Sequence, residues 1–490
     1  MKLTKLSLAM ASALGAGLAA DALAMDLYVD TKTQQIFAEP GRGRVLLGEF
    51  QKVGDTSSQP ADSANLKAEI DEIKQDLALK NNELKALDEH MKVAEEVKVK
   101  LDSKGVQFET ADKDFKFRLG GRIHTDATFS GGDHDLVNAK GNTVGADDGT
   151  EIRRARMEML GTFYQDWDFK SQFDFADNKV AVKDLFVQYS GLKDLEITAG
   201  QQKQAFSREL QESSNDMLFM ERSLMNALNE PTVDRAIGLD VGSFQKDWTA
   251  QVGVFGDTVT PNNTNNIGQE GWAISSRATY APINEKTKVI HLGVAGNYRD
   301  PSANGEVNGH NLQLRSETTH MSNLYLIDTG AISNVSSIKM AGLEATGLYG
   351  PFTVGGEYTH MWLDRENGSQ NAEFDGWYTE AAWTITGESR KYKKGKFYKV
   401  EPKNNFSFKN GTWGAWELAT RYSQADLNSG IIHGGEMSNI TVALNWYLND
   451  NIRFMADYNK FFSLTNTPIT TVGGGEPNVD VFMLRSQLAF

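Results

Sequence analysis

The sequence predicts an all-β protein: a 16-stranded antiparallel transmembrane β-barrel preceded by an α-helical coiled coil. Three observations lead there. From Phe115 to Phe490 the chain is a succession of strand-length segments in which apolar and polar residues alternate, the period of a sheet with one greasy face. The polar face carries charge, as the wall of an aqueous lumen would. The connections alternate short and long, as they do when short turns gather at one rim of a membrane barrel and long loops at the other.

The stretch Glu151 to Ala176 shows the pattern best. Ala155, Met157, Met159 and Phe163 point one way, and Arg154, Arg156 and Glu158 the other. After a turn at Gln165-Asp166, Trp167, Phe169, Phe173 and Phe175 alternate against Asp168, Lys170, Gln172 and Asp174. The 490 residues suffice for one large domain plus an accessory segment. Beyond the first two dozen residues no run of about 18 apolar residues occurs, which excludes transmembrane helices from the rest of the chain. Cysteine is absent and the formal charge is -15. That balance argues against general nucleic-acid binding, but it leaves room for a locally basic interior.

In chain order, residues 1–24 read as an export signal. Lys2 and Lys5 form the charged region, Leu6 to Leu18 the apolar region, and Ala22-Leu23-Ala24 a small-x-small cleavage site before Met25. Residues 25–63 are a short extension and linker, broken by Pro40-Gly41-Arg42-Gly43. Residues 64–101 are expected to be a coiled-coil helix. Leu66, Ile70, Ile73, Leu77, Lys80, Leu84, Leu87, Met91 and Ala94 step by fours and threes, with Lys104-Gly105 as the stop. One apolar seam on one helix needs a partner, either another copy or the helix's own domain. Residues 112–490 form the barrel.

The strands are expected at 115–125, 151–165, 167–177, 182–190, 194–203, 236–244, 247–256, 271–281, 287–299, 337–349, 352–364, 375–387, 412–424, 438–448, 451–461 and 479–490. Long connections fall at 126–150, 204–235, 257–270, 300–336, 425–437 and 462–478. An even strand number brings both ends to the short-turn, periplasmic rim, so the coil is expected in the periplasm. Residues 388–411 break the rule, being long on the short-turn side.

No catalytic set, metal-ligand spacing or cofactor motif stands out. The chemistry therefore lies in inward charges. Arg154 and Arg156 are inward by parity; Arg153 is outward unless a bulge turns it in. Guanidinium forks suit phosphate oxygens, although the same arginines also suit ion pairs with Glu158 and Asp168. The 204–235 loop, with Lys203 before it and Arg208, Arg222 and Arg235 within it, holds Leu218, Phe219 and Met220. It is expected to fold inward. Arg390, Lys391, Lys393, Lys394, Lys396, Lys399 and Lys403 form a basic segment that reads either as an anion funnel or as a solvated turn at peptidoglycan or lipid headgroups.

At Ile152-Arg153-Arg154-Ala155-Arg156, Gly200-Gln201-Gln202-Lys203, Phe219-Met220-Glu221-Arg222-Ser223, Asp234-Arg235, Gly414-Ala415-Trp416-Glu417, Arg421-Tyr422-Ser423 and Asn445-Trp446-Tyr447, the chain resembles the phosphate-selective porins of Gram-negative outer membranes. The resemblance runs from about Phe115 to Phe490. It implies a homotrimer of sixteen-stranded barrels in outer-membrane lipid and lipopolysaccharide. It also implies an inward third loop, Arg153 and Arg154 at the constriction, a lysine-bearing periplasmic side, and passage of inorganic phosphate, polyphosphate or other small anions without a cofactor. Ala205 stands where the family often has proline. Two other readings remain: a general or differently selective porin, and a structural barrel whose coil tethers the membrane to peptidoglycan or a periplasmic partner.

Overall fold

The computed structural model describes residues 25–30, 35–50, 60–95, 97–145, 147–259, 271–301, 312–322 and 324–490. The expected export signal lies outside them. The chain divides into two units at Met91/Lys92. The first holds a three-stranded antiparallel sheet of Met25–Asp30, Ile36–Phe37 and Arg44–Phe50, and most of a helix, Pro60–Glu95. Proline at the first helical position costs no hydrogen bond, and the rest is rich in Ala, Leu, Lys and Glu, all good helix formers.

The helix stops at Glu95, short of the expected 101. Val97–Asp102 (VKVKLD) alternates with period two and pairs as a strand with Gly105–Thr110. Lys104-Gly105 is therefore in a hairpin turn, not at a helix end. Gly105 has φ of 88°, and a Cβ there would lie 2.2 Å from the Leu119 carbonyl oxygen, so no side chain is tolerated.

Sixteen strands close the barrel: β1 (Phe115–Gly132), β2 (Gly149–Phe163), β3 (Trp167–Asp174), β4 (Ala181–Leu192), β5 (Leu195–Lys203), β6 (Arg235–Phe244), β7 (Trp248–Phe255), β8 (Trp272–Glu285), β9 (Lys288–Asp300), β10 (Val335–Tyr349), β11 (Phe352–Arg365), β12 (Ala372–Thr384), β13 (Ala415–Ser429), β14 (Ile432–Tyr447), β15 (Ile452–Thr465) and β16 (Val479–Ala489). Each pairs antiparallel with its sequence neighbour, and β16 returns to β1 with Val479 opposite Gly132 and Ala489 opposite Arg122. The 97–110 hairpin extends the start of β1 rather than joining the ring.

Outward positions in the lower wall are apolar. Ile440, Val442 and Leu444 alternate with buried Thr441, Ala443 and Asn445. Near the short-turn rim, aromatic side chains meet across strands, as with Trp416 and Trp446 at 4.9 Å and Trp167 and Tyr189 at 4.7 Å. Such rings favour the level where lipid meets water.

One expected loop is absent. Residues 425–437 continue the ladder of β13 and β14 to a tight turn, with Ser429 opposite Ile432 and Gly430 at φ 55°. The hydrophobic sense of the wall inverts here. Ala425, Leu427 and Met437 are buried inward, in one cluster with Leu326, Ile327 and Leu464, while Gln424, Asp426 and Glu436 point outward. Inward loops supply an apolar core at this rim, and the outer face has left the lipid.

Placing a charge on the lipid-facing wall tests this assignment. Val442→Arg is expected to lower unfolding free energy by about 2–4 kcal/mol, read by denaturant titration of the protein in liposomes.

Candidate functional site

The segment after β5 runs into the lumen instead of out to solvent, and the wall supplies its missing hydrogen bonds. Residues 208–211 make one helical turn. At its start the Glu357 carboxylate of β11 accepts from the Ser207 hydroxyl (2.7 Å), the Arg208 amide (2.9 Å) and the Glu209 amide (2.8 Å). An anion is favoured where orphan amides point. Arg208 itself is 1% exposed. It donates to Glu212 (2.9 Å), Glu380 (2.7 Å) and the Tyr378 hydroxyl (2.5 Å). Further along, Glu209 accepts from Ser223 and Arg421. Arg453 donates to the Met217 carbonyl, Asn445 to the Leu218 carbonyl and Arg485 to the Met220 carbonyl, and Asp457 accepts from the Met220 amide. The loop is thus tied to β11 through β16, across the lumen from the strand it left.

A second segment enters from the short-turn side. Residues 388–411 contain a small hairpin, Tyr392–Lys393 with Lys396–Phe397. Phe397 packs on Val289 and Leu348. The Tyr392 hydroxyl lies 2.8 Å from His291 Nδ1, and Arg277 donates to the Gly395 carbonyl at 2.9 Å. Arg390 donates to the carbonyls of Tyr398 and Asp216, and the Lys399 amide donates to the Asp216 carboxylate. The two inward segments therefore meet at Asp216 and narrow the lumen together.

Between them and the β1–β7 wall lies a cavity of about 620 Å³. Its cations are Arg122, Arg153, Arg154, Arg156, Lys170, Lys183, Lys203, Arg222, Arg235, Lys394 and Lys396; its carboxylates are Asp184, Glu196, Glu212, Asp216, Glu230, Asp234 and Asp240. Eleven positive groups against seven negative ones give a basic interior to a chain of formal charge -15. A larger recess, about 1210 Å³, lies largely among outward apolar side chains such as Leu292, Leu343 and Trp377 and offers no such chemistry.

The register of β1 and β2 slips between His124 and Thr125, so that Arg154 faces His124, Ile152 faces Thr125, and Arg153 is the extra residue. This bulge turns Arg153 inward, where strict alternation would send it to lipid. Its Nε and Nη2 grip Glu221 at 2.9 and 3.1 Å. Arg485 reaches the same carboxylate at 2.9 Å while holding Asp126 with two bonds. Arg154 stands 3.9 Å from Glu221, with Nε and Nη1 making no hydrogen bond. Arg156 pairs with Asp174 at 2.6 Å. Glu158 instead bonds Arg118 and Gln172, and Asp168 bonds Thr162 and Ser190. Neither of the partners expected from sequence neutralises Arg154 or Arg156.

Of the loop cations, Lys203 donates to the Leu210 and Glu212 carbonyls, Arg222 pairs with Glu230 (3.2 Å), and Arg235 pairs with Asp184 (2.8 Å) and Asp234 (3.3 Å). All three line the cavity, but Arg208 does not: it is a buried anchor. The basic segment divides in the same way. Lys394, bonded to Glu196 at 2.5 Å and lying over the Phe244 ring, and Lys396 line the cavity. Arg390 is an anchor. Lys391 pairs with Glu401, Lys399 bonds the Asp450 carbonyl, Lys403 bonds the Gly387 carbonyl, and Lys393 is exposed.

The sequence reading passed over Arg122, Lys170, Lys183 and Arg485. Arg485 and Lys170 lay on the polar face by parity. Lys183 is turned in by a second bulge, opposite Gln172/Phe173, which alternation alone cannot reveal.

A closed sixteen-strand barrel whose charged lumen is narrowed by folded-in segments is a porin of the bacterial outer membrane. Residues 117–490 match the family described as Phosphate-selective porin O and P, and the chain belongs to it. It is 28% identical over 419 residues to Porin O of Pseudomonas aeruginosa, covering 79% of this chain and 91% of that protein. It is also 28% identical over 394 residues to an uncharacterised protein of Caulobacter vibrioides, covering 78% and 76%. Among solved structures it is similar to the anion-selective porin of Comamonas acidovorans, with 14% identity, a TM-score of 0.49 and coverage of 77% of this chain and 100% of that one. The outer membrane channel DcaP of Acinetobacter baumannii gives 11% identity, a TM-score of 0.44 and coverage of 78% and 99%.

Two measurements probe this arrangement. Arg208→Ala leaves Glu212, Glu357 and Glu380 facing one another without their cation. It is expected to cost roughly 3–5 kcal/mol in denaturant unfolding and to raise the fluctuation of the open-channel current as the loop loosens. Burial, with the charges of Arg277, Lys170 and Lys394 adding to it, pushes the Lys396 ammonium down to about 8. It is charged below that pH and neutral above, so the chloride-to-cation permeability ratio is expected to fall between about pH 7 and 9. Reversal potentials measured against pH should show this inflection, and Lys396→Gln should remove it.

Proposed function

We propose that the protein is a passive, anion-selective pore for phosphate or polyphosphate. It works as a homotrimer surrounded by outer-membrane lipid and lipopolysaccharide, and it is exported by a leader at residues 1–24. The observation that carries this reading is the cation excess of the cavity, with Nε and Nη1 of Arg154 in its lining making no hydrogen bond. A low-dielectric wall focuses that potential on the passage and raises the local anion concentration. A charge pair 4 Å apart is worth about 4 kcal/mol at an effective dielectric of 20, enough for several cations to offset the lost hydration of an oxyanion.

Glu221 gives the constriction a built-in competitor. Its carboxylate occupies the guanidinium forks of Arg153 and Arg485, the geometry a phosphate oxygen would take. An arriving anion competes with Glu221 for Arg153, with Arg154 beside it. Binding stays shallow because the resident carboxylate returns as the anion moves on, which keeps release fast. Lys203, Arg235, Lys170, Lys183, Lys394 and Lys396 continue the cationic lining.

Planar-bilayer recordings test the reading. Reversal potentials in a chloride gradient are expected to show anion preference, and added phosphate to block chloride current. Arg154→Ala should raise the half-blocking phosphate concentration about tenfold, the equivalent of one charge-assisted hydrogen bond. Cation preference would overturn anion selectivity. Anion preference without phosphate block would leave a general porin instead.

A further inference from the structure

The helix Pro60–Glu95 carries an apolar face that is exposed among the described residues. Ile70, Ile73, Leu77, Leu84 and Leu87 are 45–65% exposed, although with Lys80 among them they occupy one row of heptad positions along a continuous helix. A seam repeating every 3.5 residues is straight only on a supercoiled partner of the same period. We propose that this helix joins copies of the chain to one another as a parallel, in-register coil, three-stranded if the barrels are trimeric as proposed above.

Direction follows from connectivity. One residue separates Glu95 from Val97–Asp102, whose hairpin partner Gly105–Thr110 pairs with the first barrel strand. Barrels that share a membrane enter it in the same sense, so helices that end at their walls run the same way.

Register follows from Lys80, which occupies a core position among the apolar ones. With copies aligned, the lysines share one layer, where Asp76 and Glu83 of neighbouring helices flank them. A slip of one heptad would set each lysine against Ile73 or Leu87 and spoil several layers instead of one. A single polar core residue is a recognised means of setting alignment at some expense of stability.

The chain has no cysteine, so single cysteines report neighbours directly. In the full-length protein in native outer membranes, mild oxidation of Ile73→Cys is expected to give a covalent dimer. About two thirds of chains should enter it, the third copy having no partner. Gln75→Cys, on the far side of the helix, should react at least about tenfold more slowly, because Cα atoms beyond about 7 Å cannot be bridged. Adding Leu77→Asp to Ile73→Cys should abolish the dimer while leaving chloride conductance intact. Equal rates at positions 73 and 75, or no dimer at 73 with normal conductance, would overturn the coil and indicate that the seam rests on the barrel or on another envelope component. Loss of anion selectivity with the dimer retained would overturn the pore reading and leave the coil standing.

Discussion

The structure depends on one constraint: in hydrocarbon, every backbone amide and carbonyl must be paired within the protein. A sheet meets it only by closing, and β16 against β1 completes the ring. Closure puts alternate side chains on opposite sides, with lipid outside and a lumen inside. The apolar rows of Ile440, Val442 and Leu444 and the polar rows of Thr441 and Asn445 are two consequences of that single geometry. A pore then requires only that the inner face stay polar.

The same demand recurs inside. The 204–234 segment leaves the wall and carries backbone groups with no ladder to join. Wall side chains stand in for the missing strand: Glu357 receives amides at the start of the short helix, Asp457 takes the Met220 amide, and Arg453, Asn445 and Arg485 cover carbonyls. Much of the charge of β11–β16 is consumed in this way. On the other side of the loop Lys203 and Arg153 are drawn into the same role, whereas Lys170 and Lys183 of β3 and β4 are not. The fold therefore sorts cations into two kinds: those buried against carboxylates or carbonyls, such as Arg208, Arg277 and Arg390, and those that line the cavity without an ion-pair partner among the described residues, such as Lys183 and Lys396. Net charge cannot foresee this sorting, because it counts both kinds alike.

Bulges matter as much as alternation. Arg153 and Lys183 are each the extra residue at a register slip, and each faces a lumen that strict alternation would deny it. With Arg154 and Arg156 already inward by parity, a single inserted residue makes three guanidinium groups converge. Glu221, brought by the inward loop, pairs with Arg153 and stands 3.9 Å from Arg154.

The sequence alone determined the strand number, the face of most strand residues and the hairpin order, because in a membrane barrel these rest on local alternation and on connection length. It also carried the heptad and the family motifs. The limits of that reading have physical causes. At 425–437 the lumen side becomes a packed core and the outer side meets water, so the alternation persists with its sense reversed and reads as a loop. At Val97–Asp102 the seam of the helix runs into the alternation of a strand with no break between them. Whether Arg208 or Lys396 lines the passage was decided only by the tertiary structure. Both are cations in inward segments, and what separates them is the presence of Glu212, Glu357 and Glu380 around one guanidinium, two of them from strands nearly 150 residues or more away.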